Sequence, residues 1–233
     1  MEFFVTGTGT GVGKTFVTAL LSRMFVEKGL STAVQKWVST GGRAEAEDIE
    51  FIVRHVPGLG PAGGACARAL YCLEFPASPH LAAEMEGITI SSQDIAKFFL
   101  EMRDKFDILM VEGAGGVMVP LTRQLLLIDL VRELGLCALV VAAVGLGTIN
   151  HTLLTIEALE HRGIPCVGVV LNSQGLDTSS EEHPAIVEDN VRVIEEFSMV
   201  PVLGVVPRME QIAHKAVAEI GERVLERLHG VCA

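Results

Sequence analysis

The sequence contains few aromatic side chains and few positive charges. Aromatic residues make up 5% of its 233 residues, with one tryptophan and one tyrosine. Aliphatic side chains must therefore fill the core, as they do in parallel sheets covered by helices. Lysine and arginine number 18 against 29 acidic residues, a formal net charge of -11. No basic stripe offsets this charge, so a nucleic-acid partner is not expected.

Paired cysteines and long apolar runs are also missing. The five cysteines form no C-x-x-C pair, and Cys137 and Cys166 stand inside apolar runs. Buried free thiols in a reducing compartment are the expectation. The first residues, Met1–Val5, run directly into a strand and show no secretory signal. The longest uncharged stretch, Leu134–Asn150, is interrupted by glycines and falls short of the roughly 20 apolar residues of a membrane span. We therefore expect a cytoplasmic protein without a membrane segment.

Short apolar runs alternate with helical patterns along the whole chain. This alternation predicts an α/β fold, a doubly wound, mainly parallel sheet with helices on both faces, in a single domain over residues 1–233. Ligands of such sheets bind outside the carboxyl ends of the strands. The expected strands are Phe3–Val5, Thr32–Trp37, Ile108–Val111, Ala138–Ala143, Val167–Leu171 and Val202–Val205. The expected helices are Lys14–Lys28, Asp48–His55, Ser91–Lys105, Ile128–Leu134, Ile149–Arg162, Pro184–Phe197 and Met209–Leu228.

A glycine-rich loop, Gly7–Thr15, follows the first expected strand and leads into a helix. Its glycines allow backbone N–H groups to converge on phosphate oxygens, and the helix dipole adds to the attraction. Lys14 can reach the β- and γ-phosphates, and the Thr15 hydroxyl can bind Mg²⁺. The loop is a variant of the P-loop, because five residues separate Gly7 from Gly13 instead of four. A glycine turn without a ligand is the alternative. The residues expected to bind the nucleotide here are Gly11, Val12, Gly13, Lys14 and Thr15.

Three charged residues outside the loop are candidates for the same pocket. Glu112 ends the buried strand Ile108–Val111, a natural place for a second Mg²⁺ ligand. Lys36 stands in an otherwise apolar strand and suits a transferring phosphoryl group or a substrate anion. Asp48 could hold Mg²⁺. The alternatives are a loop-capping carboxylate for Glu112, a surface lysine for Lys36 and a helix cap for Asp48.

Together these residues resemble the dethiobiotin synthetase family, ATP-dependent enzymes of the P-loop NTPase-like fold. The resemblance runs along most of the chain, although the loop carries Gly9 and Gly11 where the family often has acidic residues. Trp37 stands where a proline is common. The segments that carry the resemblance are Phe4–Thr15, Lys36–Gly41, Ser78–His80, Val111–Gly116, Gly147–Thr155 and Asn172.

The resemblance implies a reaction in three steps. The 7-amino group of 7,8-diaminopelargonate takes up CO₂, supplied as CO₂/bicarbonate, as a carbamate. The carbamate oxygen attacks the γ-phosphate of ATP, giving a carbamic-phosphoric anhydride and ADP. The 8-amino group then attacks the anhydride carbon, closing the ureido ring of dethiobiotin and releasing phosphate. Mg²⁺ is the implied cofactor.

The resemblance also implies roles for individual residues. Lys14, Lys36 and Thr10 are expected to be catalytic, and Thr15, Asp48 and Glu112 to hold Mg²⁺. Asn172 occupies the position at which the family reads adenine. In the family, the helix start near Gly147 comes from the partner subunit of a homodimer, where it binds the substrate carboxylate. The residues expected to bind diaminopelargonate are Thr40, Gly115, Gly147 and Asn150.

Three other functions fit parts of the pattern. A partitioning-type P-loop ATPase, a protein-interaction switch, has a second lysine in the loop, where this chain has Gly9. A cobyrinate amidase needs a glutamine-hydrolysing domain, for which 233 residues leave no room. A non-catalytic nucleotide-binding module has no need for Lys14, Thr15, Lys36 and Glu112 together.

Overall fold

The computed structural model describes residues 1–42, 46–59, 66–173, 184–208 and 214–231. Within these ranges strands and helices alternate. The strands are β1 (Glu2–Gly7), β2 (Thr32–Thr40), β3 (Cys66–Leu73), β4 (Ile108–Gly116), β5 (Cys137–Ala143), β6 (Cys166–Asn172) and β7 (Val202–Val206). The helices are α1 (Lys14–Glu27), α2 (Glu47–His55), α3 (Pro79–Glu86), α4 (Ser92–Leu100), α5 (Leu127–Glu133), α6 (Thr148–Glu160), α7 (Pro184–Ser198) and α8 (His214–Val231).

All of these strands belong to one parallel sheet. Its order is β3-β2-β4-β1-β5-β6-β7, and every neighbouring pair is parallel. The chain winds from β1 outwards in both directions, which confirms the expected doubly wound α/β fold. At the centre, β1 lies between β4 and β5, so the loop after β1 leaves the middle of the carboxyl edge, where such sheets bind ligands.

Two apolar cores cover the two faces of the sheet. One contains side chains of α1, α2 and α8, such as Leu20, Ile52 and Val224. The other contains side chains of α3 to α7, such as Phe99 and Ile156. Strand residues alternate between them: Phe3 and Val5 belong to the first core and Phe4 to the second. The helices therefore lie on both faces, as expected.

Two elements were not predicted. β3 is an edge strand whose residues are mostly half-buried, and its alanines and cysteines carry little of the β-branched pattern that marks a strand. α3 follows it after a short proline-containing turn and begins with Pro79 at its first turn. Both lie beside the carboxyl end of β2, so they form a wall of the site described below.

Several elements end at other residues than expected. β2 runs on to Thr40 because Ser39 and Thr40 still pair with β3. β4 runs on to Gly116 because that residue pairs with Gly7 of β1. A prediction based on runs of apolar residues therefore underestimates the length of strands whose last residues are polar or glycine. α4 ends at Leu100, earlier than expected. The expected helix start at 209–213 lies outside the described residues.

The cysteines differ in part from the expectation. Cys66 and Cys166 are free thiols, and burial raises the pKa of the Cys166 thiol to about 12. Cys137 is disulfide-bonded, so its assignment as a free thiol was wrong. Cys232 lies outside the described residues. None of the helices in the described part of the chain has the length and apolarity needed to cross a membrane.

The core packing predicts the effect of truncating Trp37. This side chain is 1% exposed, and its ring lies 5.6 Å from that of Phe4 and 6.5 Å from that of Phe99. Trp37→Ala should lower the free energy of unfolding by about 3–5 kcal/mol, as measured by urea denaturation. Phe197→Ala is the control, because Phe197 is 75% exposed and its loss should change stability by less than about 0.5 kcal/mol. Equal effects would contradict the assignment of Trp37 to the core.

Candidate active site

The register of the central strands assembles the site. β2 and β4 pair so that Lys36 lies opposite Glu112. β4 and β1 pair so that Glu112 also lies opposite Val5, two residues before Gly7. Lys36 and Glu112 therefore stand beside the start of the glycine-rich loop, although about 76 residues of chain separate them.

The glycine-rich loop is compact and needs glycine at specific positions. A Cβ at Gly7 would lie 2.7 Å from a methyl group of Val12, so the loop could not close over a larger residue. Gly11 and Gly13 have φ values of 78° and 86°, a left-handed conformation that glycine adopts without strain. Gly13 is the N-cap of α1, and the first N–H groups of that helix have no partner within the helix. The loop and helix start thus form an anion-binding cradle.

Two lysines and two carboxylates meet beside this cradle. Lys36 Nζ donates to Glu112 Oε1 at 2.8 Å and forms an ion pair with Asp48. The Thr15 hydroxyl lies 2.7 Å from Asp48 Oδ1 and 2.9 Å from Glu112 Oε1. Lys14 Nζ donates to the Gly9 carbonyl at 3.0 Å. Lys36 is 5% exposed and Glu112 is 1% exposed, so this ion pair lies out of contact with bulk water.

The protonation states follow from burial and from these neighbours. Burial lowers the pKa of Lys14 to about 8, and the approach of Glu112 only partly offsets this effect. Burial would also lower the pKa of Lys36, but Glu112 and Asp48 together raise it above its ordinary value. Burial acts on Asp48 as well, yet Lys36 and Thr15 hold its pKa below the usual range. At neutral pH Lys36 and Asp48 are therefore charged, whereas Lys14 loses its proton at mildly alkaline pH.

The donor set fits a small divalent cation. Thr15, Asp48 and Glu112 present oxygen ligands, which Mg²⁺ prefers, and Mg²⁺ commonly takes only one or two carboxylates from a protein. Glu112 Oε2 is buried without a hydrogen-bond partner, a costly arrangement that a cation would relieve. Among the described residues no group of three or more His, Cys, Asp or Glu side chains forms a closed metal cage. This arrangement suits a metal that shares its coordination with phosphate oxygens and water.

A cleft of about 600 Å³ brings most of the expected site residues together. Its walls come from the glycine-rich loop, the carboxyl ends of β2 and β4 and the start of α2. The expected residues that line it are Thr10, Gly11, Gly13, Lys14, Thr15, Lys36, Thr40, Asp48, Glu112 and Gly115.

Four expected residues do not line this cleft. Val12 packs into the core beside β1, and Asn172 is fully buried, with its amide on the Val12 carbonyl at 2.9 Å. Gly147 and Asn150 stand at the start of α6, on exposed surface of the same chain. The single chain therefore does not bring the start of α6 into the cleft, and Asn172 exposes no surface to it.

The cleft also has a wall whose residues were not among the expected site residues. Pro76, Ala77, Ser78 and Pro79 line it between β3 and α3. The Ser78 hydroxyl lies 3.0 Å from His80 Nδ1, and this turn includes the segment Ser78–His80 that carried part of the resemblance. Pro76 and Pro79, close together in the chain, were the available sign, because proline marks turns and surface loops often carry binding residues.

Known proteins resemble this chain over most of its length. A family model described as an AAA domain matches residues 1–216. The ATP-dependent dethiobiotin synthetase of Anoxybacillus flavithermus is 38% identical over 92% of this chain and 95% of its own length. That of Methanococcus vannielii is 38% identical over 87% of this chain and 92% of its own. That of Chlorobaculum tepidum is 42% identical over 72% of this chain and 71% of its own length.

Solved structures show the same fold at low sequence identity. The cell division ATPase MinD of Pyrococcus furiosus superposes with a TM-score of 0.63 at 16% identity, over 97% of this chain and 98% of its own. The pNOB8 ParA protein, solved bound to nonspecific DNA, has a TM-score of 0.63 at 13% identity and covers 98% of both chains. These similarities establish the P-loop NTPase fold alone. The sequence matches to the synthetases go further: this chain is an enzyme of the ligase type and belongs to the family of ATP-dependent dethiobiotin synthetases.

Proposed function

We propose that this chain converts 7,8-diaminopelargonate, CO₂ and ATP into dethiobiotin, ADP and phosphate. The observation that carries the proposal is the cleft that contains Lys14, Lys36 and the Thr15–Asp48–Glu112 cluster together with small polar groups. Such a cleft can hold a triphosphate beside a second reacting group. Membership of the synthetase family supports the choice of substrate, and we expect the protein to act in the cytoplasm as a single domain.

The lysines account for the phosphoryl transfer. When the carbamate oxygen attacks the γ-phosphate, negative charge spreads over the transferring group and onto the leaving ADP. Lys14, at the loop, stabilises the β- and γ-phosphates, and Lys36 donates to the Glu112 carboxylate beside it. Both ammonium groups are already fixed in a buried site, so little reorganisation is needed as the charge develops. The anhydride formed in this step makes the carbamate carbon reactive towards the second amine.

Thr15, Asp48 and Glu112 would hold Mg²⁺. When bound, the ion supplies positive charge to the phosphate oxygens, as in other P-loop enzymes. Lys36 meanwhile keeps the two carboxylates from repelling each other, since it contacts both.

Small polar groups suit the amines and the carbamate. Thr10 and Thr40 line the cleft with Gly115, and their hydroxyls can both donate and accept hydrogen bonds. Gly115 has a φ of 65° and keeps this part of the wall free of side-chain atoms. We propose that these residues position the carbamate and the 8-amino group for ring closure.

A second copy of the chain would complete the substrate site. Leu146 is 90% exposed, Leu154 56% and Met118 49%, and a shallow apolar pocket of about 210 Å³ lies between Met118 and Leu154. Apolar surface of this kind marks an interaction site. We propose a homodimer in which this surface is covered and the start of α6, with Gly147 and Asn150, reaches the partner's cleft. The free N–H groups of a helix start suit the carboxylate of diaminopelargonate.

Product analysis tests the proposed function. Mass spectrometry should detect dethiobiotin only when diaminopelargonate, bicarbonate and MgATP are all present. Lys36→Gln should lower kcat by about 10²–10³ with little change in the calorimetric affinity for ATP, because Lys36 acts mainly on charge that develops during transfer. Lys28→Gln, which removes a surface lysine paired with Glu222, should keep full activity. ATP turnover that responds to DNA and not to diaminopelargonate would instead indicate a partitioning-type ATPase.

The lowered pKa of Lys14 predicts a pH-dependent affinity for ATP. In the free protein this pKa is about 8, and bound phosphates favour the charged form. Affinity should therefore be constant below pH 8 and fall by up to about tenfold per unit above it, with proton uptake on binding. Calorimetry at pH 7 to 9.5, in buffers of different ionisation enthalpy, measures both effects. Lys14→Arg stays charged in this range and should give a flat profile. A flat profile for the unaltered protein would contradict a lowered pKa of Lys14 that is coupled to phosphate binding.

The homodimer proposal predicts a selective effect at Gly147. This residue has a φ of 87°, and a Cβ added to it would lie 3.6 Å from its nearest neighbour, the His151 ring, so Gly147→Val disturbs mainly the helix start. KM for diaminopelargonate should rise at least several-fold while KM for ATP stays unchanged. Gly163→Val is the matched control, since Gly163 has a φ of 66° and open space around it, just beyond the far end of α6. Sedimentation velocity that shows a fully active monomer at assay concentration would contradict the shared site.

A further inference from the structure

One wall of the cleft belongs to a helix with little apolar anchorage. This wall runs from Pro76 to Pro79, and Pro79 is the first residue of α3. Of the eight residues of α3, only Pro79, Ala82 and Ala83 are buried. A short helix depends on tertiary contacts for its stability, and two alanines bury little apolar surface. Other contacts are therefore needed to hold α3, and the Pro76–Pro79 wall with it, in place.

A hairpin beside α3 is held more firmly. It lies between Pro120 and Leu126, which form an antiparallel bridge, and it follows Val119, which also lines the cleft. The Leu127 N–H donates to the Val119 carbonyl at 2.9 Å, which ties the base of the hairpin to the start of α5. Leu121 is 1% exposed and belongs to the same apolar core as the buried side of α3. The hairpin can therefore act as a fixed support.

Two contacts join α3 to this hairpin. At the start of the helix, the His80 N–H donates to the Pro120 carbonyl at 3.3 Å. Further along, Arg123 Nε donates to Glu84 Oε1 and Arg123 Nη2 donates to Glu84 Oε2, each at 2.7 Å. His80 and Glu84 stand about one helical turn apart, so the two contacts fix the direction of α3 as well as its position.

The Glu84–Arg123 pair has favourable geometry for an exposed ion pair. Most surface ion pairs contribute little to stability, but bidentate pairs are an exception, because two parallel hydrogen bonds add strength and direction. The hydrogen bonds from Arg123 hold the pKa of Glu84 below its usual range, so the pair is charged at neutral pH. The side chains of Arg123 and Glu84 are 60% and 46% exposed. Salt should therefore screen the pair and weaken it.

We infer that Glu84 and Arg123 are positioning residues, which hold the Pro76–Pro79 wall in place for the second substrate. Neither is among the described residues that line the cleft, so they act through α3. A Cβ at Gly41, next to Thr40, would lie 3.4 Å from Pro76, and the wall thus borders the part of the cleft proposed for diaminopelargonate. The inference rests on that proposed function.

Steady-state kinetics test the role in substrate binding. Glu84→Gln keeps the side-chain shape and removes its charge. KM for diaminopelargonate should rise about two- to fivefold while kcat and KM for ATP stay unchanged, because the phosphate-binding groups lie on other elements. Glu222→Gln is the matched control, since Glu222 on α8 is also exposed and pairs with Lys28 at 2.9 Å. Equal KM values for the two variants, or a matching rise in KM for ATP, would overturn the inference.

Charge reversal and salt test its electrostatic basis. Glu84→Arg places two cations side by side and should raise KM for diaminopelargonate more than Glu84→Gln does. Combining Glu84→Arg with Arg123→Glu restores an ion pair and should recover most of the native KM. The ratio of KM between Glu84→Gln and the native protein should fall towards one in about 1 M salt, where exposed charges are screened within roughly 3 Å. A ratio independent of salt would mean that the variant acts through packing, contrary to the inference.

Hydrogen exchange in the ligand-free protein tests the contact without any substrate. A peptide covering residues 74–83 should exchange faster in Glu84→Gln than in Glu222→Gln, because α3 loses a support. Faster exchange with an unchanged KM would make the pair a structural contact only and overturn its role in substrate binding. If exchange behaves as expected but the native protein forms no dethiobiotin, the proposed function fails while the support of α3 by the hairpin stands.

Discussion

The site depends on compensation between buried charges at the centre of a parallel sheet. Lys36 and Glu112 are almost fully buried, and an isolated charge in such a place would cost several kcal/mol. They are tolerated because each contacts the other, and Asp48 and Thr15 complete the cluster. Removing one partner would leave the others uncompensated. The cluster thus has to be complete in the folded protein, before any nucleotide is bound.

The strand order explains how this cluster meets the phosphate cradle. β4 pairs with β2 on one side and β1 on the other, so the acidic strand end lies between the lysine strand and the glycine-rich loop. β5 and β6 then extend the sheet beyond β1, and the last residue of β6 reaches back to the loop. Both the charged groups and the support for the loop are therefore consequences of how the strands of one sheet pair. The atoms that we propose to bind the ligand are largely backbone N–H groups and fixed cations, which suit a reaction whose difficulty lies in developing negative charge.

Other members of the same fold use it for different purposes. The MinD and ParA structures superpose well at 16% and 13% identity, so the sheet and loop alone do not define a reaction. In this chain the residues around the cradle form a cleft beside it. Lys36, Thr40 and the wall from Pro76 to Pro79 surround space beside the phosphate site, which a second small molecule could occupy.

The sequence alone was sufficient for the fold class and for most of the cleft. The strand–glycine loop–helix pattern has few other uses, and alternation of apolar runs and helical segments leaves few topologies besides a doubly wound sheet. β3 and α3 escaped prediction because an edge strand of small residues lacks a strong apolar pattern. Single-domain organisation, the homodimer and the individual site roles remain predictions.

Tertiary structure decided what spacing along the chain could not express. That Lys36 contacts both carboxylates follows from the β2–β4 register, which is set by pairing between distant segments. That Asn172 lies behind the loop follows from the sheet order, since β6 is separated from β1 by one strand. Local sequence determines which residues can bind a phosphate, because that depends on residue type and loop geometry. Which side chains compensate or support them depends on long-range packing, and only the assembled sheet fixes it.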